Sequence, residues 1–220
     1  MMTELPHLTG WVLFAFMIAL TVFNARKKLP FLPLLSARAW LRFHIGAGLA
    51  SVAVFFWHTG WSWPVGWFNW MLTALYALVM VSGIVGWVWS RTIPKKLTAR
   101  GAEVIWEEIP ARRAALREQA ESLALQSPIV GKFYVEHLHE SWAEAIPKLH
   151  NLKKYLDEKE RALADQLAAL VRQNDDLDFH YALQWRLKAW LFVHIPLTYS
   201  LLIFSVAHLV IVYAFSGGAP

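Results

Sequence analysis

Cysteine is absent from the 220 residues, which excludes a thiolate-held iron–sulfur cluster, a C-x-x-C-H site for covalent c-type haem, thiolate zinc and any disulfide. No thiolate is available to hold a metal. Charge is scarce as well: 17% of the residues are Asp, Glu, Lys or Arg against 57% hydrophobic, outside the usual balance of a soluble domain. The scarcity is local, because residues 5–25, 43–90 and 189–220 contain no charged side chain at all. A Rossmann-type G-x-G-x-x-G is also missing, so the chain has no nucleotide site of that kind from which to draw electrons.

The uncharged stretches predict helices that cross a membrane. A spanning helix needs about 20 apolar residues at about 1.5 Å each, and four segments meet that: 8–24, 39–58, 67–90 and 189–215. Pro30, Pro33, Pro64 and Pro94 punctuate the gaps between the first three. No Lys or Arg precedes the first segment and no small-residue cleavage pattern follows it, so it is expected to be retained rather than removed as a signal peptide. The expected fold is all-α: a four-helix transmembrane bundle with a helical, hairpin-like insert between the third and fourth spans. In domain terms, 1–90 supplies three spans, 91–188 the polar insert and 189–220 the fourth span.

Basic residues orient the chain. Arg26, Lys27, Lys28, Arg38 and Arg42 lie around the first connection, and all remaining Lys and Arg fall within 91–188. The positive-inside rule therefore puts that connection and the insert in the cytoplasm and both termini outside, as in a bacterial inner membrane. Trp57, Trp61, Trp63, Trp67 and Trp70 gather around the second connection, with Trp40, Trp87, Trp89 and Trp190 near the opposite ends, the pattern of two interfacial aromatic belts. The net charge of +5 does not imply nucleic acid, because the basic residues are used at span ends and in a mixed-charge insert.

The insert carries 16 basic and 15 acidic residues. It reads as helical with breaks near Pro110, Pro128 and Pro147, one helix covering 111–125. Leu149, Leu152, Leu156, Leu163, Leu167 and Leu170 follow at heptad-like spacing, which predicts a second helix with one apolar stripe. That stripe either packs inside the insert or docks a partner. His7, His137, His139, His150 and His180 show no metal-ligand pattern beyond the H-x-H at 137–139.

Four histidines fall within the apolar segments. His44 and His58 in the second, and His194 and His208 in the fourth, are each separated by 13 intervening residues. Fourteen steps of about 100° bring both histidines of a pair to nearly the same face, about 21 Å apart along the axis. Alternating spans make the second and fourth run in the same direction, so His44 is expected level with His194 and His58 with His208. Polar side chains inside hydrocarbon are costly and usually functional. Neutral imidazole ligates iron, and a porphyrin between two helices takes one imidazole on each face. The intervening residues on those faces, Gly48, Ser51 and Phe55 against Thr198, Leu201 and Ser205, include several small ones, as a flat macrocycle requires. The predicted cofactors are two b-type haems, an inner one on His44 and His194 and an outer one on His58 and His208. Arg42, with Arg38, Arg186 and Lys188, is placed to pair with inner-haem propionates, or serves topology alone. Pro196 is expected to kink the fourth span, and Ser82, Gly83 and Gly86 to give the third a small packing face. A haem-free anchor or metal-ion pathway using the same histidines is the alternative.

Paired histidines on the second and fourth spans resemble the four-helix haem core of cytochrome b in quinol-oxidising complexes, and the paired-histidine core of ferric-reductase-type transmembrane proteins. The resemblance covers the spans and implies that His44, His58, His194 and His208 are axial ligands. A P-E-W-Y-type quinol motif is lacking, so the quinol-cycle role of cytochrome b is not carried over. What is implied is electron transfer across the bilayer as a subunit of a redox complex. Its counterparts would be quinone or a separate c-type cytochrome, iron–sulfur or flavin protein.

Overall fold

The structure, a computed structural model, describes residues 4–26, 36–100, 104–137 and 142–216. Lys27, Lys28, Pro30, Pro33, His139 and the last four residues lie outside them. Among the described residues every regular element is helical: α1 (Glu4–Arg26), α2 (Ala37–Thr59), α3 (Trp67–Ala99), α4 (Ile109–Ala124), α5 (Pro128–His137), α6 (Trp142–Leu152) and α7 (Glu158–Ser216), with short 3₁₀ turns at Trp106–Glu108 and Lys153–Tyr155. The helices α2, α3 and α7 are long and apolar enough to cross a membrane, whereas the apolar stretch of α1, His7–Val22, is shorter.

The chain falls into two compact units, one made of residues up to Arg91 with those from Leu187 onward, the other of Thr92–Arg186. In the first unit, local chemistry sets the ends of α2. The Ser36 hydroxyl accepts from the Ala39 N–H at 3.3 Å, capping the start. Gly60 takes a left-handed conformation (φ 58°) and its N–H bonds Trp57 carbonyl, while the Trp61 N–H bonds Phe56 carbonyl, closing the end. Helix α1 packs along α2. The outer faces are apolar and exposed, as at Leu78, Val81, Phe192, Ile203 and Val210. A bare band of that kind is a liability in water and is consistent with lipid contact.

The second unit corrects the expected hairpin. The leucine stripe does not lie on one helix: Leu149 and Leu152 belong to α6, Leu156 is extended (φ −90°, ψ 150°), and Leu163, Leu167 and Leu170 belong to α7. The break arises because the Asp157 carboxylate accepts the Glu160 N–H at 2.7 Å, capping a new helix start. Ser127 and Pro128 likewise open α5 rather than interrupt a helix: the Ser127 carbonyl accepts Gly131 N–H at 2.8 Å, and its hydroxyl donates to Glu160 at 2.8 Å. Pro147 lies inside α6 and Pro94 inside α3, so neither separates elements. Helix α7 starts at Glu158, with no break at 189.

The split stripe is nevertheless buried internally. Leu149, Leu156, Leu163 and Leu167 form one core with Ala120 and Val130, flanked by Leu123, Phe133 and Tyr134. A separate cluster of Val104, Ile109 and Leu177 packs under Trp106. Ion pairs such as Arg100–Asp175 and Arg112–Glu108 are exposed, and such pairs contribute at most about 1 kcal/mol each. The leucine core therefore dominates. Leu167→Ala is expected to destabilise this unit by about 2–5 kcal/mol, read as faster amide hydrogen exchange in α4–α6 of the full chain; unchanged exchange would contradict that core.

Candidate functional site

The four intramembrane-type histidines meet in two pairs. His44 on α2 faces His194 on α7 with ring centroids 6.5 Å apart and planes at 74°. His58 faces His208 at 6.5 Å and 84°. Because α2 and α7 each carry their histidines 14 positions apart, the same pair of helices repeats the arrangement at two levels.

Each imidazole is backed by a third helix. Behind His58, α1 supplies the Thr9 hydroxyl, 3.2 Å from Nδ1, and Gly10, where an added Cβ would lie 3.1 Å from the ring. Behind His44, Leu20 and Thr21 of α1 line the same cavity. Behind His194, α3 supplies the Ser82 hydroxyl, 2.7 Å from Nδ1, and Gly83, whose added Cβ would be 3.7 Å away. The Trp190 indole stacks on His194 at 5.2 Å and is locked there by donating to the Ser82 carbonyl at 2.7 Å. An added Cβ at Gly86 would lie 1.9 Å from that indole, so only glycine leaves room for it. The His208 ring lies parallel to Phe68 of α3 at 6.3 Å. Helix α7 continues through Pro196, and the Thr198 hydroxyl donates to the His194 carbonyl at 2.8 Å.

A cavity adjoins each pair. One of about 410 Å³ is lined by His44, His194, Gly48, Gly83, Gly86 and Thr198 among others. One of about 100 Å³ is lined by His58, His208, Gly10, Phe55 and Ser205 among others. Leu13, Met17, Tyr76 and Leu201 line both and so form the partition. Tyr76 is buried, shares a hydrogen bond of 2.9 Å with Ser51 and stacks on Phe55 at 4.3 Å. The larger cavity is apolar except for a few groups, among them the Trp87 indole N–H, which is buried and has no hydrogen-bond partner among the described residues. Arg91 lies over that indole at 4.9 Å.

The pair geometry suits one iron between two imidazoles. A metal–imidazole bond is about 2.0–2.1 Å and a ring nitrogen sits about 1.2 Å from its own centroid, so two rings on one metal have centroids about 6.4 Å apart. Both observed separations are 6.5 Å with the rings edge to face, a spacing within the range of ordinary edge-to-face ring pairs that also matches two imidazoles on one metal. Among the described residues no group of three or more His, Asp or Glu side chains is arranged to hold a metal ion. Each pair thus offers two protein ligands, the number a six-coordinate haem takes from its protein.

Gly48 lies on the wall of the His44 cavity. Arg42 is exposed on α2 and lines neither cavity, and Arg38, Arg186 and Lys188 line neither as well. Sequence reasoning missed Thr9, Gly10, Trp190, Phe68 and Tyr76, and took Ser82, Gly83 and Gly86 for packing alone. The available signal was a hydroxyl residue followed by glycine, Thr9–Gly10 and Ser82–Gly83, within uncharged segments. Compared with protein-family models, curated proteins and solved structures, the chain matches none.

Proposed function

We propose that the protein is an integral membrane cytochrome that holds two b-type haems and carries electrons across the bilayer. In this reading α1, α2, α3 and the 187–216 part of α7 form a four-span bundle. His44 and His194 are the axial ligands of an inner haem, and His58 and His208 those of an outer haem. The observation that carries it is the repeated 6.5 Å separation of facing imidazoles at two levels of the same helix pair.

Haem iron at two depths would supply one-electron carriage between the two sides of the membrane. The chain's own residues do the rest. The histidines offer ring nitrogens, Gly48 lines the cavity beside His44, and Leu13, Met17 and Leu201 put apolar side chains beside Tyr76 in the partition. The unpartnered Trp87 N–H, with Arg91 over its ring, offers a donor at the cavity wall that Arg42 was expected to serve. The distribution of Lys and Arg supports a cytoplasmic 91–188 insert and outward termini, as in a bacterial inner membrane. Lacking a nucleotide fingerprint, the chain needs an external electron partner: quinone, or a c-type cytochrome, iron–sulfur or flavin protein in the same redox complex.

The decisive experiment is a reduced-minus-oxidised spectrum with a pyridine haemochrome assay on the purified protein. Two b-type haems per chain are expected. Protein that stays colourless after expression with ample haem would overturn the reading in favour of a haem-free anchor or metal-ion pathway.

A further inference from the structure

Two of the four imidazoles are backed in the same way from different helices. Ser82 on α3 lies 2.7 Å from Nδ1 of His194, and Thr9 on α1 lies 3.2 Å from Nδ1 of His58. Each hydroxyl residue is followed by a glycine whose missing Cβ would lie against the same imidazole, at 3.7 Å for Gly83 and 3.1 Å for Gly10. The glycine admits the ring and the hydroxyl catches its inner nitrogen.

We infer that Ser82 is a positioning residue that fixes which nitrogen of His194 meets iron and lowers the potential of that haem, with Thr9 in the same role behind His58. This rests on the dihaem reading. The direction of the Ser82 bond follows from proton counting. The Ser82 hydroxyl has one proton and donates it to the Val79 carbonyl at 2.8 Å. Its oxygen is left to accept, so the Nδ1 of His194 carries the ring proton and donates. In a neutral imidazole the other nitrogen, Nε2, then holds the lone pair that a metal requires. If the hydroxyl donated to Nδ1 instead, two oxygens would face each other at 2.8 Å without a proton between them.

A ligating histidine that donates its second N–H becomes a more basic ligand, which favours ferric over ferrous iron and lowers the potential. Trp190 does not depend on the Ser82 side chain, because its indole bonds the Ser82 backbone carbonyl. Ser82→Ala therefore removes the hydroxyl and keeps the stacked indole.

The test is a potentiometric titration of wild type, Ser82→Ala, Ser82→Thr and Thr9→Val, with haem content measured in each. Ser82→Ala should shift the midpoint of one haem upward and leave the other in place, and Ser82→Thr should restore it. Thr9→Val should move the other haem. Loss of one haem in Ser82→Ala that threonine restores would equally support the hydroxyl's role. Two haems with unchanged midpoints in Ser82→Ala, or an altered Ser82→Ala phenotype that threonine fails to rescue, overturns the inference alone. A wild type without haem overturns the dihaem reading and the inference with it.

Discussion

On the dihaem reading, a His194→Ala chain is expected to purify with about one b-type haem and the wild type with two. His194 is braced on three sides, with Ser82 at its Nδ1, Trp190 on its face and Gly83 giving it room. Its removal deletes one of the two nitrogens at the His44 level and the ring that this bracing exists to hold. Loss of a partner outside the coordination sphere costs about 10–100-fold in metal affinity, and loss of the ligand itself exceeds that. The second pair should be indifferent, because it lies about 21 Å along the helix axes and has its own bracing from Thr9, Gly10 and Phe68. The reciprocal His58→Ala chain should lose the other haem. Spectra would separate the two residual haems, since one remains beside Trp190 and the other beside Phe68. Two haems with an unaltered spectrum in His194→Ala would remove His194 from the ligand set and leave the 6.5 Å pairing without its proposed purpose.

The parts of this molecule that were legible in the sequence are those governed by local periodicity. The all-helical class and the approximate places of α2 and α3 follow from their apolar runs and the Pro64–Gly66 interruption between them, while Ser36 and Gly60 cap the two ends of α2. The placement of two histidines on one face of α2 and two on one face of α7 follows from a 14-residue interval alone. Helix α7 was harder, because hydropathy marks where its apolar part begins and nothing in 158–188 stops a helix: no Gly or Pro occurs there. The leucine stripe misled because its spacing persists across the break at Asp157, while the stop itself is announced by a different signal, an Asp with Glu three residues on. Lateral register was not legible. That Thr9 meets His58 and Ser82 meets His194 depends on how α1 sits against α2 and α3 against α7, and no periodicity within one helix encodes that. Arg42 shows the same limit from the other side: its proximity to His44 in sequence does not bring it to the cavity wall.

Gly86→Ala is expected to abolish or strongly disturb binding of the haem proposed at His44 and His194 while sparing the one proposed at His58 and His208. In an exposed helix the change would gain about 1 kcal/mol of propensity. Here the added Cβ would lie 1.9, 2.3 and 2.5 Å from three atoms of the Trp190 indole, and no heavy atom tolerates such an approach. The rigid bicyclic ring has no flexible end to bend away, so it must swing as a body. Swinging breaks the indole bond to the Ser82 carbonyl and lifts the ring from the face of His194. Overpacking costs about 1–3 kcal/mol and the lost hydrogen bond about another 1 kcal/mol, so together they exceed the propensity gain. Because Ser82 and Trp190 hold the same imidazole, the strain reaches His194 directly, whereas the His58 and His208 pair contacts neither Gly86 nor Trp190 in its cavity wall. Haem content and the reduced-minus-oxidised spectrum of Gly86→Ala would read this as loss or displacement of one component. The double variant Gly86→Ala/Trp190→Ala, which clears the collision, should recover part of the lost haem. A Gly86→Ala protein with both haems and a wild-type spectrum would mean that Trp190 does not hold His194 in place, and that the glycines of α3 serve helix packing alone.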